Sequence, residues 1–134
     1  MKAFSPSSQN LHEVLGMELI PSSVPDEVYA KMPVTSAVCQ PFGFLSGGAS
    51  LALAETLAGY GSLALCNQDE IPLGIQVSAN HVHAVPLGGE VRAKAHLLAR
   101  SRSLHVWNVD ITDNEGRLVS TCRVTNCIKI RKAI

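Results

Sequence analysis

Residues 47–66 contain one charged side chain, Glu55, and no proline. A run of that length and apolarity either spans a bilayer or packs inside a protein. Its own composition decides between the two. No Lys or Arg flanks it, Gly47, Gly48, Gly59 and Gly61 interrupt it, and a carboxylate near its centre would cost a few kcal/mol in lipid. The segment is therefore expected to form a central helix over about 47–67, rich in Ala and Leu. With apolar residues on every face, that helix should be surrounded by protein.

The flanking sequence supplies strands. Residues 10–16 suggest a short helix with Asn10 as N-cap, Glu13 at the third position and Gly16 as terminator. Strands are expected near 17–22 and 27–34, and 35–45 is the longest candidate linker. Beyond Pro72 the hydrophobic period becomes two. Val91, Ala93, Ala95, Leu97 and Ala99 alternate with Glu90, Arg92, Lys94, His96 and Arg100, and only Leu98 breaks the outer face. Trp107, Val109 and Ile111 alternate likewise, and Asp113-Asn114-Glu115-Gly116 turns the chain into a strand over 117–130, where Leu118, Cys122, Val124, Ile128 and Ile130 share one face. Another strand is expected over 71–85. Short hairpin links imply an antiparallel sheet, and one long helix must cover its single buried face. The fold class is α+β, a curved antiparallel sheet wrapped around one central helix, with residues 1–134 as a single domain.

Charge narrows the range of functions. Eleven basic residues balance eleven acidic ones, with no clustered Lys or Arg to release counterions from nucleic acid. Charged residues are 16% of the chain, whereas an isolated surface of this size should carry roughly 25–35%. That deficit suggests that a second subunit covers part of the surface. The four cysteines show no C-x-x-C spacing and the first ten residues lack the apolar stretch of a signal peptide, so a cytoplasmic protein with free thiols is expected.

Glu55 is the residue that needs a reason. A carboxylate on an apolar helix is costly unless it is paired or used. At the start of the same helix, Ser46-Gly47-Gly48 offers uncommitted backbone N–H groups at the positive end of the helix dipole, a place to hold an oxyanion. Together they form a candidate acyl-transfer site. Eight residues separate Gly47 from Glu55, about 12 Å of helix, while a reacting carbonyl needs both groups within roughly 3 Å. Cooperation between them therefore points to two chains around a two-fold axis. Tyr60 either lines an acyl pocket or packs in the core. His81 and His83 point the same way from a strand, but with no third ligand at a telling spacing no metal is expected.

The string Gln40-Pro41-Phe42-Gly43-Phe44-Leu45-Ser46-Gly47-Gly48-Ala49-Ser50, followed by Leu53-Ala54-Glu55-Thr56, resembles the signature of hotdog-fold acyl-CoA thioesterases. Within that superfamily it is most similar to the hydroxybenzoyl-CoA and 1,4-dihydroxy-2-naphthoyl-CoA hydrolase group, which includes the enterobactin proofreading thioesterases. The likeness continues through Ser78-Ala79-Asn80-His81, Gly89-Glu90-Val91-Arg92 and Val106-Trp107.

This resemblance implies that Glu55 is nucleophile or general base, that the Gly47 N–H holds the carbonyl oxygen, and that Gln40 hydrogen-bonds in the reaction site across a subunit interface. It implies substrate contacts at Ser46, Gly48, Thr56, Gly59, Tyr60, Asn80 and His81. Arg100, Ser101 and Arg102 fall where the coenzyme A nucleotide would lie, or form a solvated strand end. The relatives carry His-Gly-Gly where this chain has Ser46-Gly47-Gly48, and commonly Ser or Thr at Gly59. Ser46 either donates a hydrogen bond to substrate or caps the helix. The implied protein is a homo-oligomer, a dimer or dimer of dimers, acting on an aryl or hydroxyaryl acyl-CoA, with menaquinone precursor hydrolysis the sharpest expectation and no metal or organic cofactor. Its competitors are a thioesterase for another acyl group such as phenylacetyl-CoA, and a non-catalytic acyl-CoA binding protein. A hydratase on the same fold would need a His paired with the acid.

Overall fold

The computed structural model describes residues 10–133; residues 1–9, on which the reading of a leader depends, lie outside them. In chain order the elements are α1 (Leu11–Leu15), β1 (Glu18–Ile20), β2 (Glu27–Pro33), a 3-10 turn (Ser36–Val38), α2 (Gly47–Leu65), β3 (Glu70–His81), β4 (Glu90–Arg100), β5 (Leu104–Asp113) and β6 (Leu118–Ile130), with a last 3-10 turn at Arg131–Ala133. The six strands form one sheet in the order β1-β2-β4-β5-β6-β3. Every pairing is antiparallel, so β1 and β3 are its edges. The sheet curves over α2, the hotdog arrangement.

Local chemistry sets the boundaries. Asn10 accepts the Glu13 N–H at the start of α1, and Gly16 closes that helix at φ 68°, where a side chain would be strained. Asp113 Oδ1 accepts the Glu115 and Arg117 N–H groups at 2.9 Å each and builds the β5–β6 turn.

Several sequence expectations need correction. β3 stops at His81 instead of reaching Val85, because the Val82 and His83 N–H groups both turn to the Val119 carbonyl and the Val85 carbonyl accepts from Leu45. The presumed linker 35–45 is tied into this corner by its 3-10 turn and a bridge between Cys39 and Leu45. Ala99 leaves the buried face because the β4–β5 register shifts between Leu97 and Ala99; Leu98 is the extra residue of that bulge. Leu118 and Ile130, at the ends of β6, are 40% and 42% exposed.

Nor is α2 surrounded. Its buried stripe is Ser50, Leu53, Ala54, Leu57, Ala58, Gly61 and Ser62, one face at helical period. Glu55, Thr56, Gly59 and Tyr60 on its other side are half-buried, and Leu63 is 45% exposed. One flank of the helix is therefore not covered by the sheet.

Against the stripe packs Trp107, fully buried. A Cβ on Gly61 would stand 2.7 Å from the Trp107 ring, so glycine is what lets helix and sheet approach here. Beside it Ser62 Oγ takes three partners: Trp107 Nε1 at 2.8 Å, Asn126 Nδ2 at 2.9 Å and His105 Nδ1 at 2.8 Å. Indole and amide N–H groups can only donate, and a hydroxyl oxygen accepts two bonds. The Ser62 proton is thus left for His105 Nδ1, which makes His105 a neutral imidazole carrying its proton on Nε2.

Candidate active site

The N-terminus of α2 leaves one backbone donor uncommitted. Ser46 is the N-cap, and its Oγ accepts the Gly48 N–H at 3.2 Å. Ala49 and Ser50 donate to the Ser46 carbonyl at 3.0 and 3.2 Å. Of the first turn, only the Gly47 N–H has no acceptor among the described residues. The Ser46 hydroxyl, used as acceptor in the cap, keeps its proton for a further partner.

His81 crowds this point. A Cβ at Gly47 would lie 2.7 Å from both Cδ2 and Nε2 of the His81 ring, so glycine is required for the imidazole to lie over the helix start. The ring is held from behind by Ser120 Oγ, 2.7 Å from Nδ1. The two histidines of this segment do not converge as expected: His83 lies past the strand end and meets Asp113 at 3.5 Å.

Gln40 closes the same corner. Its Oε1 accepts the Phe42 N–H at 2.6 Å and the Phe44 N–H at 3.3 Å, which fixes the orientation of the amide. Gln40 can therefore offer a reaction site its Nε2 donors and not its oxygen.

Glu55 is half-buried in the middle of α2 and has no hydrogen bond or ion pair among the described residues. It lies against the edge strand at Gly74, where a Cβ would fall on Oε2 and within 3.2 Å of Cδ. Sequence reasoning passed over Gly74, and the only signal for it was a glycine in the interior of a strand. Thr56 is a half-buried neighbour. One turn on, Gly59 has open space where its Cβ would be. Tyr60 donates from its hydroxyl to His12 Nδ1 or accepts from it at 2.6 Å, with the two rings edge to face at 5.4 Å.

Arg100, Ser101 and Arg102 gather elsewhere, with Cys66, Asn67 and His105, around a cavity of about 390 Å³ at the C-terminal end of α2. Arg100 Nη2 donates to the Leu65 carbonyl at 3.2 Å, a favourable cation at a helix end. Ser101 closes the β4–β5 turn through Leu104. Burial holds the His105 imidazole below its ordinary range, and the Arg100 charge adds to this; burial pushes the Cys66 thiol up. Asn80, adjacent to His81 and so on the opposite sheet face, lines a separate hollow with Asn108 and Arg123. Within this chain, then, the helix start with Gly47, Gly48, Ser46, Gln40 and His81 forms one cluster, and Glu55 with Thr56 and Gly59 another. They are eight residues apart on one 19-residue helix, about 12 Å of rise.

Known proteins share this framework. The thioesterase superfamily profile matches residues 42–120. The 1,4-dihydroxy-2-naphthoyl-CoA hydrolase of Listeria monocytogenes is 35% identical over 122 residues, spanning 91% of this chain and 98% of the relative. The proofreading thioesterase EntH of Klebsiella pneumoniae is 35% identical over 99 residues, spanning 74% of this chain and 72% of its own length. A crystal structure of a thioesterase from Haemophilus influenzae superposes with a TM-score of 0.86 at 32% identity, covering 92% of this chain and 85% of that one.

Proposed function

The chain belongs to the thioesterase superfamily, and from that premise we propose that it hydrolyses an aryl or hydroxyaryl acyl-CoA at a site shared by two copies of itself. The relative named 1,4-dihydroxy-2-naphthoyl-CoA hydrolase makes that thioester the first substrate to test. In this reading the Gly47 N–H and Gln40 Nε2 of one chain hold the carbonyl oxygen, and Glu55 of the other acts on the carbonyl carbon. Glu55 either takes the proton of an attacking water or attacks first, forming an anhydride that water then opens. By either route the C–S bond breaks, the acid is released and CoA leaves as a thiolate that picks up a proton. A thiolate leaves readily, so no metal or organic cofactor is required. The Arg100, Ser101 and Arg102 cavity suits the nucleotide phosphates. No helix among the described residues is long and apolar enough to cross a membrane, and all four cysteines are free.

One observation carries the shared site. Glu55 packs on Gly74 and Gly47 packs under His81, so both halves of the site lie along the same edge strand, β3. If two copies of β3 pair antiparallel about Ser78, with Ile75 left out as the extra residue of the bulge, Gly74 of one stands opposite His81 of the other. Glu55 is then brought to the partner's Gly47. The edge suits such pairing, because it is long, unpaired and exposes Leu73 and Ile75 at 40% and 61%, a liability unless it is covered. A homo-oligomer built on this dimer accounts for the low surface charge.

A panel of acyl-CoAs with free thiol followed tests the reading. Benzoyl-, hydroxybenzoyl- and 1,4-dihydroxy-2-naphthoyl-CoA are expected to exceed straight-chain thioesters in kcat/KM by roughly 10–200-fold, the range a shaped apolar pocket can discriminate. A preference for straight chains would remove the aryl assignment. Tight CoA binding without turnover of any thioester would make the chain a binding module.

A further inference from the structure

We propose that Gly74 is a positioning residue that aims the Glu55 carboxylate, its glycine identity serving the reaction and not the fold of the strand. The inference rests on the catalytic reading of Glu55. Glycine in a strand interior is unfavourable and marks either a special backbone conformation or a close approach. Conformation is not the reason here, since the glycines with positive φ are Gly16, Gly43, Gly88 and Gly116. Close approach is. The volume a side chain would fill at Gly74 holds the end of Glu55, with Cδ at 3.2 Å and Cγ at 3.4 Å from the missing Cβ.

Two further features make this a device for aiming. The Glu55 side chain has no hydrogen bond or ion pair among the described residues, so packing, with the close approach to the strand at Gly74, directs its carboxylate. The β3–β6 register shifts between Gly74 and Gln76, leaving Ile75 as the extra residue, and bulges of this kind re-aim nearby side chains. The strand is also held at a fixed distance from the helix. Gly74 is in register with Asn126, whose Nδ2 donates to the carbonyl of Ala58 at 3.2 Å, three residues after Glu55. Helix and strand are thereby held together, and the missing side chain at Gly74 leaves room for the end of Glu55 against the edge strand.

The test is Gly74→Ala in the full-length protein, assayed on benzoyl-CoA beside Glu55→Ala and Glu55→Asp. Gly74→Ala is expected to lower kcat by about 10²-fold, the loss that a misplacement of roughly 1 Å can cause, with KM within about threefold and the melting temperature unchanged or higher. Shortening Glu55 to Asp should cost clearly less in the Gly74→Ala background than in the wild type, because the shorter side chain escapes the added methyl. A wild-type kcat for Gly74→Ala overturns the proposal, as does a loss that is additive with Glu55→Asp. If Gly74→Ala does not fold, Gly74→Ala/Glu55→Ala should fold, since the colliding carboxylate is gone, and its failure also overturns the proposal. Should Glu55→Ala keep its turnover, the catalytic reading falls and this one with it; a dead Glu55→Ala beside a fully active Gly74→Ala defeats only the positioning role.

Discussion

Glu55→Ala is expected to lower kcat for aryl-CoA hydrolysis by roughly 10²–10⁴-fold, the range for loss of a positioned acid–base group, while the protein stays folded. Both halves of this expectation come from the surroundings of Glu55. Its carboxylate has no hydrogen bond or ion pair among the described residues, so its removal strands no buried partner. Alanine is the best helix former, and α2 should if anything gain. A structural glutamate would show the opposite pattern, with lost stability and retained rate. Thiol release and thermal melting on the same samples separate the two, and an Ala variant with near-wild-type turnover would refute the role given to this residue.

For stability the largest expected effect lies at Ser62→Ala. The hydroxyl is the hub of the buried network, accepting from Trp107 and Asn126 and donating to His105. Removing it leaves an indole N–H and an imidazole nitrogen unpaired, while Asn126 keeps its bond to the Ala58 carbonyl. Each buried polar group left unpaired costs about 1–3 kcal/mol. The variant should lose about 3–5 kcal/mol of the 5–15 kcal/mol typical of a domain, as a lower urea midpoint at unchanged slope. A loss of less than about 1 kcal/mol would mean that water or rearrangement satisfies the two groups and that the network is not what joins helix to sheet.

Much of this was legible because it was local. The isolated charge of Glu55, the Ser46-Gly47-Gly48 helix start, the Asn10 cap and the alternation in β4 and β5 are all written within a few residues. What escaped was either a change of phase or a meeting of distant segments. The bulge at Leu98 turned Ala99 outward, since one extra residue inverts the faces that follow. The role of Gly74 depends on a helix residue nineteen positions earlier in the chain, and the bulge at Ile75 on the pairing of β3 with β6. Likewise the His81 ring over Gly47, and the network joining Ser62, His105, Trp107 and Asn126, bring together residues that no spacing rule relates. Gly61 and Gly74 stand near each other in sequence without sharing a purpose: one admits an indole, the other a carboxylate.

The shared site is tested most directly by a mixed dimer. Gly47→Pro removes the N–H assigned to the oxyanion at a first helical position, whose backbone suits proline, and its Cβ displaces the His81 ring of the same chain; Glu55→Ala removes the carboxylate, and each homodimer should be inactive. The two variants are co-expressed with different affinity tags and the mixed dimer is purified. If Gly47 and Glu55 act across the interface, one of its two sites has both groups intact, and about half the wild-type turnover per dimer is expected. A mixed dimer as inactive as its parents would contradict the shared site.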